Sequence, residues 1–415
     1  MRLRGSHRFL ALRKIMIEQL KKIFAQPVRR RQSDFKINSS FANKRLLSGS
    51  KLYVENPCVR RSVTVVANAV ASIKFKVFRN GKYLTDHPLY DLLNRPNGSD
   101  SWTSFIEGLI TNFMIYGNSY IVLIKNERLE LHNLHSEHVN IVPGEFGVPN
   151  GYEYFVDNNK IFFDNTKIAL PQIGHLKTFN PYDSWYGLSP LESIKVSANL
   201  HQAITAHNLA MIQNGGRISG IISLKNGSMP LTDDQKNMIS RELIEQYQGP
   251  NNAGRIAFVE GGDFEWKPMG SSPKDMDYIA AKTLAAREIS EALGVPAILI
   301  GGIGVDGESA RANYKEILER FHEGTVLPLT QKLFSFLNNW LVSQIDPSCC
   351  IQMDLDNFLP VYDKRYALWE KVNHATFLSD KEKRILLGLE NIESEAQVAR
   401  TNTVEVDTFS KGGSV

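Results

Sequence analysis

Gly302-Ile303-Gly304-Val305-Asp306-Gly307 has the G-x-G-x-x-G spacing of a phosphate-cradling turn. The chemistry such a turn serves is a close approach of backbone amides to a pyrophosphate, where a strand ends and a helix begins. The apolar run Ala297-Ile298-Leu299-Ile300 precedes it and helical periodicity follows. Three features oppose that reading. The run starts directly after Pro296 and is barely strand length. The pattern from about Ser309 to Val342 is helical, so no second parallel strand completes a βαβ unit. Glu319 and Glu323, near the offset of a ribose-binding acid, fall inside that helix. A flexible loop joining two long helices fits these residues better, with a nucleotide-binding enzyme using loop 301–307 as the alternative.

The other groups that could do chemistry are less organised. His132, His135 and His138 recur every three residues, a spacing that on a helix would suggest zinc. Leu131, Leu134, Val139 and Ile141 interleave with them in a stretch that reads as strand or turn, so they read as surface histidines. Asp354 and Asp356 would face the same way on a strand, but no third ligand or base accompanies them. No serine sits in a G-x-S-x-G elbow. Cys58, Cys349 and Cys350 have no C-x-x-C spacing and no histidine nearby in sequence to act as base. They read as reduced thiols in an intracellular setting. The aromatic turn around Phe179, Tyr182, Trp185 and Tyr186 reads as an anchor for the helix that follows, or else as a ligand surface. No catalytic residue, metal or cofactor is expected.

The elements that position these residues have clear punctuation. Two helix starts open on Ser-Pro. Ser189-Pro190-Leu191-Glu192 has the pattern of a capping box with Pro at the first helical position, and Ser272-Pro273-Lys274-Asp275 repeats it with an acid in the same place. The first run continues to Asn214-Gly215-Gly216 and the second to Gly294-Val295-Pro296, rods of roughly 30–36 Å. Residues 215–271 between them read β-α-β-β: Ser219–Leu224, a helix from Thr232 to about Gln246, then a hairpin of Arg255–Glu260 and Phe264–Lys267. Upstream, Pro57 opens helical spacing at Val59, Val63, Val66, Ala67 and Val70. Phe75–Phe78 turns at Asn80-Gly81 as a hairpin. His87-Pro88 opens a short helix, Ser101 caps another to about Met114, and Asn118–Ile124 begins a series of short strands. Residues 46–180 thus form one α+β module. Downstream, Pro328 should kink or break the long helix, Ile351–Leu355 is a return strand, and Ser379–Glu382 caps a last helix. Residues beyond about 391 are polar and aperiodic, and read as disordered. Two rods with a small module at their far end make a stalk and a tip, a shape suited to structural or docking work.

Charge is unevenly spread. The 415-residue chain carries +4 overall, yet residues 1–45 hold 13 Lys and Arg against Glu18 and Asp34, a net of +11, which leaves −7 for the remainder. A nucleic-acid binder normally has a basic body, because phosphate neutralisation dominates affinity. If DNA is the partner, this body is built not to grip it. The basic arm reads as a solvated tail, a partner or nucleic-acid contact, or sequence ahead of a native start at Met16. No apolar run approaches a membrane span, and no signal peptide is evident.

Five motifs in order resemble those of phage portal proteins, of the branch found in tailed phages with the Hong Kong-type capsid. They are His87-Pro88-Leu89-Tyr90-Asp91-Leu92-Leu93-Asn94-Arg95-Pro96-Asn97, Tyr116-Gly117-Asn118-Ser119-Tyr120, Tyr186-Gly187-Leu188-Ser189-Pro190-Leu191-Glu192, Asn251-Asn252-Ala253-Gly254-Arg255, and Glu291-Ala292-Leu293-Gly294-Val295-Pro296. The resemblance covers about 50–390. It implies a ring of twelve subunits at one capsid vertex of the virion, reached from the host cytoplasm. Double-stranded DNA would pass through its channel during packaging and ejection, without sequence specificity. The partners implied are the terminase, the head–tail connector, and capsid and scaffold proteins, with no membrane and no catalysis. The implied fold is α+β of portal type, after a basic arm at 1–45. A wing (46–188) precedes stem helix 1 (189–214), a small α/β clip (215–271) and stem helix 2 (272–296). Then follow a tunnel loop (297–312), a long kinked helix and return strand (313–363), a helical crown (364–390) and a tail (391–415). Tunnel-loop residues facing DNA would be Gly302, Gly304, Asp306, Gly307, Glu308 and Arg311. Clip residues meeting partners would be Arg255, Glu260, Asp263 and Trp266. Ala280, Ala281, Ala285, Ala286 and Ala292 would thin the second rod for close packing.

Overall fold

The computed structural model describes residues 49–387, apart from 126–127, 146–147, 157–158, 167–171, 214–219, 225–231, 235–236, 239–240, 242–263, 269–276, 302–312 and 356–357. Asn56 separates helix α1 (Gly49–Glu55) from α2 (Pro57–Ala71). Its side chain accepts the Cys58 and Val59 amides, and Pro57 occupies the first turn, where a missing N–H costs nothing. Val59, Val63, Val66, Ala67 and Val70 are all buried, as their spacing requires. Strands β1 (Lys74–Arg79) and β2 (Lys82–Leu84) form the expected hairpin, with Asn80 and Gly81 both at positive φ. His87 caps α3 (Pro88–Asn94), and a Ser101–Ser104 capping box opens α4 (Trp102–Tyr116).

Strand β3 (Asn118–Lys125) is buried along almost its whole length, because both of its faces are covered. One face packs on α4, where the Ser119 hydroxyl donates to Leu109 O at 2.9 Å. The other face joins a core of Tyr120, Val122, Ile124, Leu134, Tyr152, Phe163 and Ile173. β3 pairs antiparallel with β4 (Leu129–Leu134) and β8 (Gln172–Lys177). The second wall of that core is the sheet β5 (Val139–Val142), β6 (Gly151–Val156) and β7 (Asn159–Asp164).

Two long helices follow. The first, α5 (Lys195–Gln213), starts later than Ser189-Pro190 suggests. Ser189 instead caps a single 3-10 turn, Pro190–Glu192, and Glu192 turns to Lys195 rather than back to the cap. Its 19 residues make a rod of about 28 Å. β9 (Gly220–Leu224) pairs antiparallel with β10 (Phe264–Pro268), while the strand expected at Arg255–Glu260 and the start at Ser272 lie outside the described residues. The second long helix, α6 (Tyr278–Ala292), stops at Gly294 (φ +73°), as expected.

Pro328 falls where the α-helical ladder of the long helix is interrupted, the place its missing amide marks in the sequence. The helical path runs on through α7 (Tyr314–Phe321), a π-turn at His322–Val326, α8 (Leu327–Leu337), a second π-turn at Asn338–Val342 and α9 (Ser343–Ile345). The first π-turn hands over to α8 just where Pro328 lacks an amide and would crowd the carbonyl four residues back, so the proline heads a new α-segment. β11 (Cys349–Asp354) returns beside β1. The contacts divide the chain into two units, one of residues up to Ile351 without Ile73–Phe75, the other of Ile73–Phe75 with residues from Gln352 onward. The second unit holds α10 (Leu359–His374) and α11 (Asp380–Leu386), the latter opened by the expected Ser379–Glu382 capping box.

Gly117 ends α4 at φ +69°, and a Cβ there would lie 2.4 Å from the Leu188 backbone. Gly117→Ala is therefore expected to lose roughly 2–4 kcal/mol, from the left-handed backbone and from overpacking against an atom that cannot move aside. Urea unfolding measures it, and an unchanged midpoint would contradict this account of the turn.

Candidate assembly face and the junction that carries it

The chain passes from sheet to long helix through residues 178–189, and Asn118 holds that crossing. Its amide nitrogen donates to Tyr116 O (2.8 Å) and Gly187 O (3.1 Å), and its amide oxygen accepts the Gly187 N–H (2.7 Å) and the His175 Nε2–H (2.9 Å). Thr178 Oγ1 donates to Leu188 O, and Ser189 Oγ to Ile115 O. Asp183 accepts the Trp185 and Tyr186 amides, and the Tyr186 hydroxyl oxygen accepts the Ile141 N–H at 2.9 Å. Trp185 and Tyr186 pack on the two-sheet core as an anchor, whereas Phe179 and Tyr182 of the same turn are exposed. His175 lies stacked on Tyr120 with ring centroids 4.4 Å apart. Burial first, then Lys177, depresses its pKa to about 3.

Beyond this junction α5 and α6 pack antiparallel. Ser197 near the start of α5 donates to Glu288 near the end of α6 (2.6 Å), and His207 meets Tyr278 at the opposite ends. The lower part of α5 is tied to α1 and α2: Asn56 donates to Ala198 O, and Gln202 to Glu55. The outward face of α5 is the unusual feature. Val196, Leu200, Ala203, His207 and Ala210 follow i, i+4, i+7, i+11, i+14 and are all exposed, and Leu209 and Ile212, on the side of the helix that carries His201 and Gln202 further down, are exposed too. Val196 is 68% exposed and Leu200 47%. Lys195 is the one Lys, Arg, Asp or Glu in the helix. Ile279 and Leu284 add exposed apolar surface on α6. A solvated helix face of a soluble protein normally carries charge, and an apolar stripe of this extent marks a contact surface.

Nucleophilic chemistry is poorly supported among the described residues. Two cysteines do meet histidines from distant sequence: Cys58 Sγ lies 3.7 Å from His201 Nε2, and Cys349 Sγ 3.7 Å from His87 Nε2. Burial raises the pKa of both thiols, and it lowers that of His201, so neither pair favours a thiolate. Asp346 approaches His87 at the same Nε2 that faces the sulfur, while Nδ1 accepts the Leu89 N–H, so no nucleophile–base–acid relay forms. His132 pairs with Glu130, and His135 lies edge-on to His138 with centroids 6.0 Å apart, so the three do not converge on a metal. Ala297–Ile300 is a 3-10 turn, not a strand, which removes the context a dinucleotide turn needs.

Of the residues singled out in sequence, Gly302, Gly304, Asp306, Gly307, Glu308, Arg311, Arg255, Glu260 and Asp263 lie outside the described residues, as does Asp356. Trp266 sits in β10 opposite Ile222. The exposed face of α5 escaped the sequence reading, although the near absence of charge over nineteen residues was a visible signal.

Antiparallel helices, one of them nearly free of charge on its outer face, carried on a hydrogen-bonded junction, suit a structural subunit better than a pocket enzyme. The family described as Phage portal protein matches residues 57–388, and the chain belongs to that family. It is 32% identical over 379 residues to an uncharacterized protein of Rickettsia bellii, covering 90% of this chain and 97% of that one. It is 24% identical over 320 residues to the portal protein of Enterobacteria phage HK97, covering 74% and 70%. Among solved structures, a chain in the neck of a native gene transfer agent particle, computed with C12 symmetry, is 37% identical with a TM-score of 0.62 over 81% of this chain and 91% of that one. An HK97 family phage portal protein from Corynebacterium diphtheriae shares the fold at 15% identity, with a TM-score of 0.54 over 75% and 96%.

His175 makes the junction acid-sensitive. Its folded pKa of about 3 lies below the unfolded value near 6.5, so between those values the unfolded chain binds a proton that the folded one refuses. Its contribution is complete above pH 6.5 and is lost as pH falls, by about 1.4 kcal/mol per pH unit at most. His175→Phe should flatten the acid limb of the urea midpoint between pH 6 and 4, and identical limbs in the two proteins would contradict the assignment.

Proposed function

We propose that this chain is the portal subunit of a phage-type particle, forming a closed ring at one capsid vertex through which double-stranded DNA is packaged and ejected. The single observation that carries the ring is the exposed, almost charge-free face of α5 in a chain 37% identical to a subunit of a neck computed with C12 symmetry. Twelve copies, each covering that face of its neighbour, close the ring without leaving an apolar edge. The body outside the basic arm carries a net −7, which favours sliding over gripping of DNA.

In this reading 189–214 and 272–296 are the stem. Residues 215–271 are the clip, with Arg255, Glu260, Asp263 and Trp266 meeting terminase and then the head–tail connector. The loop bearing Gly302, Gly304, Asp306, Gly307, Glu308 and Arg311 is the tunnel loop against the DNA. Residues 46–188 with the long helix form the wing, and 364–390 the crown. In this reading the subunit is structural and performs no catalysis of its own, which membership of the portal family supports.

Two experiments test this. Wild-type protein in light scattering should run as a ring of several hundred kDa, and the pair Leu200→Glu with Ala203→Glu should return it to the 46.8 kDa monomer, because a carboxylate buried without a partner costs several kcal/mol at each contact. Rings that persist in the double variant would remove α5 from the interface. Replacing Gly302 and Gly304 with Ala should leave the ring intact and impair DNA packaging, with no nucleotide binding in calorimetry before or after. Micromolar binding of NAD or ATP that the substitution abolishes would restore the enzyme alternative.

A further inference from the structure

Beside the β1–β2 hairpin, an ion pair sits over two buried groups. Arg79 at the end of β1 bonds Asp346, in the turn that links α9 to β11. Beneath them lie the imidazole of His87, the N-cap of α3, and the thiol of Cys349, the first residue of β11. His87 Nε2 is 3.3 Å from Asp346 Oδ2 and 3.7 Å from Cys349 Sγ, and Sγ is 3.4 Å from Oδ2. Zinc bonds of about 2.0–2.3 Å at tetrahedral angles hold neighbouring ligand atoms about 3.3–3.6 Å apart. The three atoms therefore already stand close to one face of a coordination tetrahedron. Asp346 is supported from behind as metal carboxylates are: its Oδ1 accepts the Ser348 N–H (3.0 Å) and hydroxyl (2.6 Å), which leaves Oδ2 aimed at the cluster. Among the described residues no other three His, Cys, Asp or Glu side chains gather in this way.

We propose that His87, Asp346 and Cys349 bind one zinc-class divalent cation, with water as the fourth ligand, and that Arg79 supplies the compensating positive charge when the metal is absent. The guanidinium lies on Oδ2 and 3.2 Å from His87 Nε2, in the space a metal would take. Its side chain is 44% exposed, so it has a path out to solvent. On binding, the Cys349 thiol gives its proton to solvent and the thiolate is balanced by the dication. In the metal-free state His87 Nδ1 accepts the Leu89 N–H, which puts the ring proton on Nε2. Coordination at Nε2 moves that proton to Nδ1 and gives up the one bond to Leu89. Displacing Arg79 and this cap both oppose the metal, so its affinity falls below that of a closed four-ligand structural site. Because 259 residues separate His87 from Asp346, no linear motif announces the site, and the sequence reading expects no metal.

The test uses full-length protein, stripped with chelator, exposed to zinc and dialysed against metal-free buffer. Elemental analysis should find close to one zinc per chain, and cobalt(II) should produce a thiolate charge-transfer absorption. Cys349→Ser should abolish that band and weaken zinc binding at least about 100-fold, and so should His87→Asn, which keeps a capping side chain. Circular dichroism checks that both variants fold. Arg79→Ala should tighten binding about 10-fold or more. Zinc no higher than in the dialysis buffer overturns the proposal. A cobalt band that survives Cys349→Ser but is lost in Cys350→Ser does so too, and unchanged affinity in Arg79→Ala removes the competing role of the arginine.

Discussion

The close approach of two backbone segments, 117–118 and 187–189, is the constraint on which the rest of the larger unit depends. At Gly117 the chain turns from α4 into the buried strand β3. At Gly187 it leaves the sheet for the long helix α5. A Cβ on Gly187 would lie 2.1 Å from Gly117 O, so each position admits only hydrogen beside the other segment. Gly117 O instead accepts the Thr178 N–H, and the Asn118 amide donates to Gly187 O and accepts the Gly187 N–H across the gap while its other donor bonds Tyr116 O on its own side. Backbone groups that would otherwise be buried without partners are thereby satisfied, and the direction in which α5 departs is set by hydrogen bonds rather than by a soft apolar contact.

Rigidity at that junction gives the exposed face of α5 its meaning. A stripe of Val196, Leu200 and Ala203 on a loosely held helix could fold back onto its own chain. Here the inner side of the helix is already engaged by Asn56, Cys58 and Glu55, and α6 covers a second side. Among the described residues nothing covers what stays exposed, which is why the proposed ring places a second copy there. The long segment from Tyr314 to Ile345 adds to the same stiffness. Its first π-turn lets it pass Pro328, and Asn338, where the second begins, bonds both the N–H and the C=O of Ile351 in the return strand.

Much of this was legible in the sequence where local chemistry decides the outcome. Pro57, Asn80-Gly81, His87-Pro88, Ser101 and Ser379–Glu382 each act within a few residues, and each terminates or turns the chain where its chemistry says it should. Ser189-Pro190 misled because the same residues cap a 3-10 turn as readily as an α-helix, and the packing of Leu191 in the core decides between them. Pro328 marked the interruption of the long helix, but a rule about α-hydrogen bonds does not say that the preceding turn widens to a π-turn. The cysteine–histidine contacts lie 143 and 262 residues apart in the chain, a separation that no spacing rule spans. The five ordered motifs carried the family from sequence alone, whereas the uncharged stretch of α5 becomes informative only once the structure shows which of its sides is already used.

Electron cryomicroscopy of the purified protein, at a resolution that separates helices, tests the central claim most directly. The account predicts a closed ring with an axial opening, in which Val196, Leu200 and Ala203 of every subunit are covered by the neighbouring chain. A ring in which that face lines open solvent, or particles that remain monomeric across salt and concentration, would contradict it.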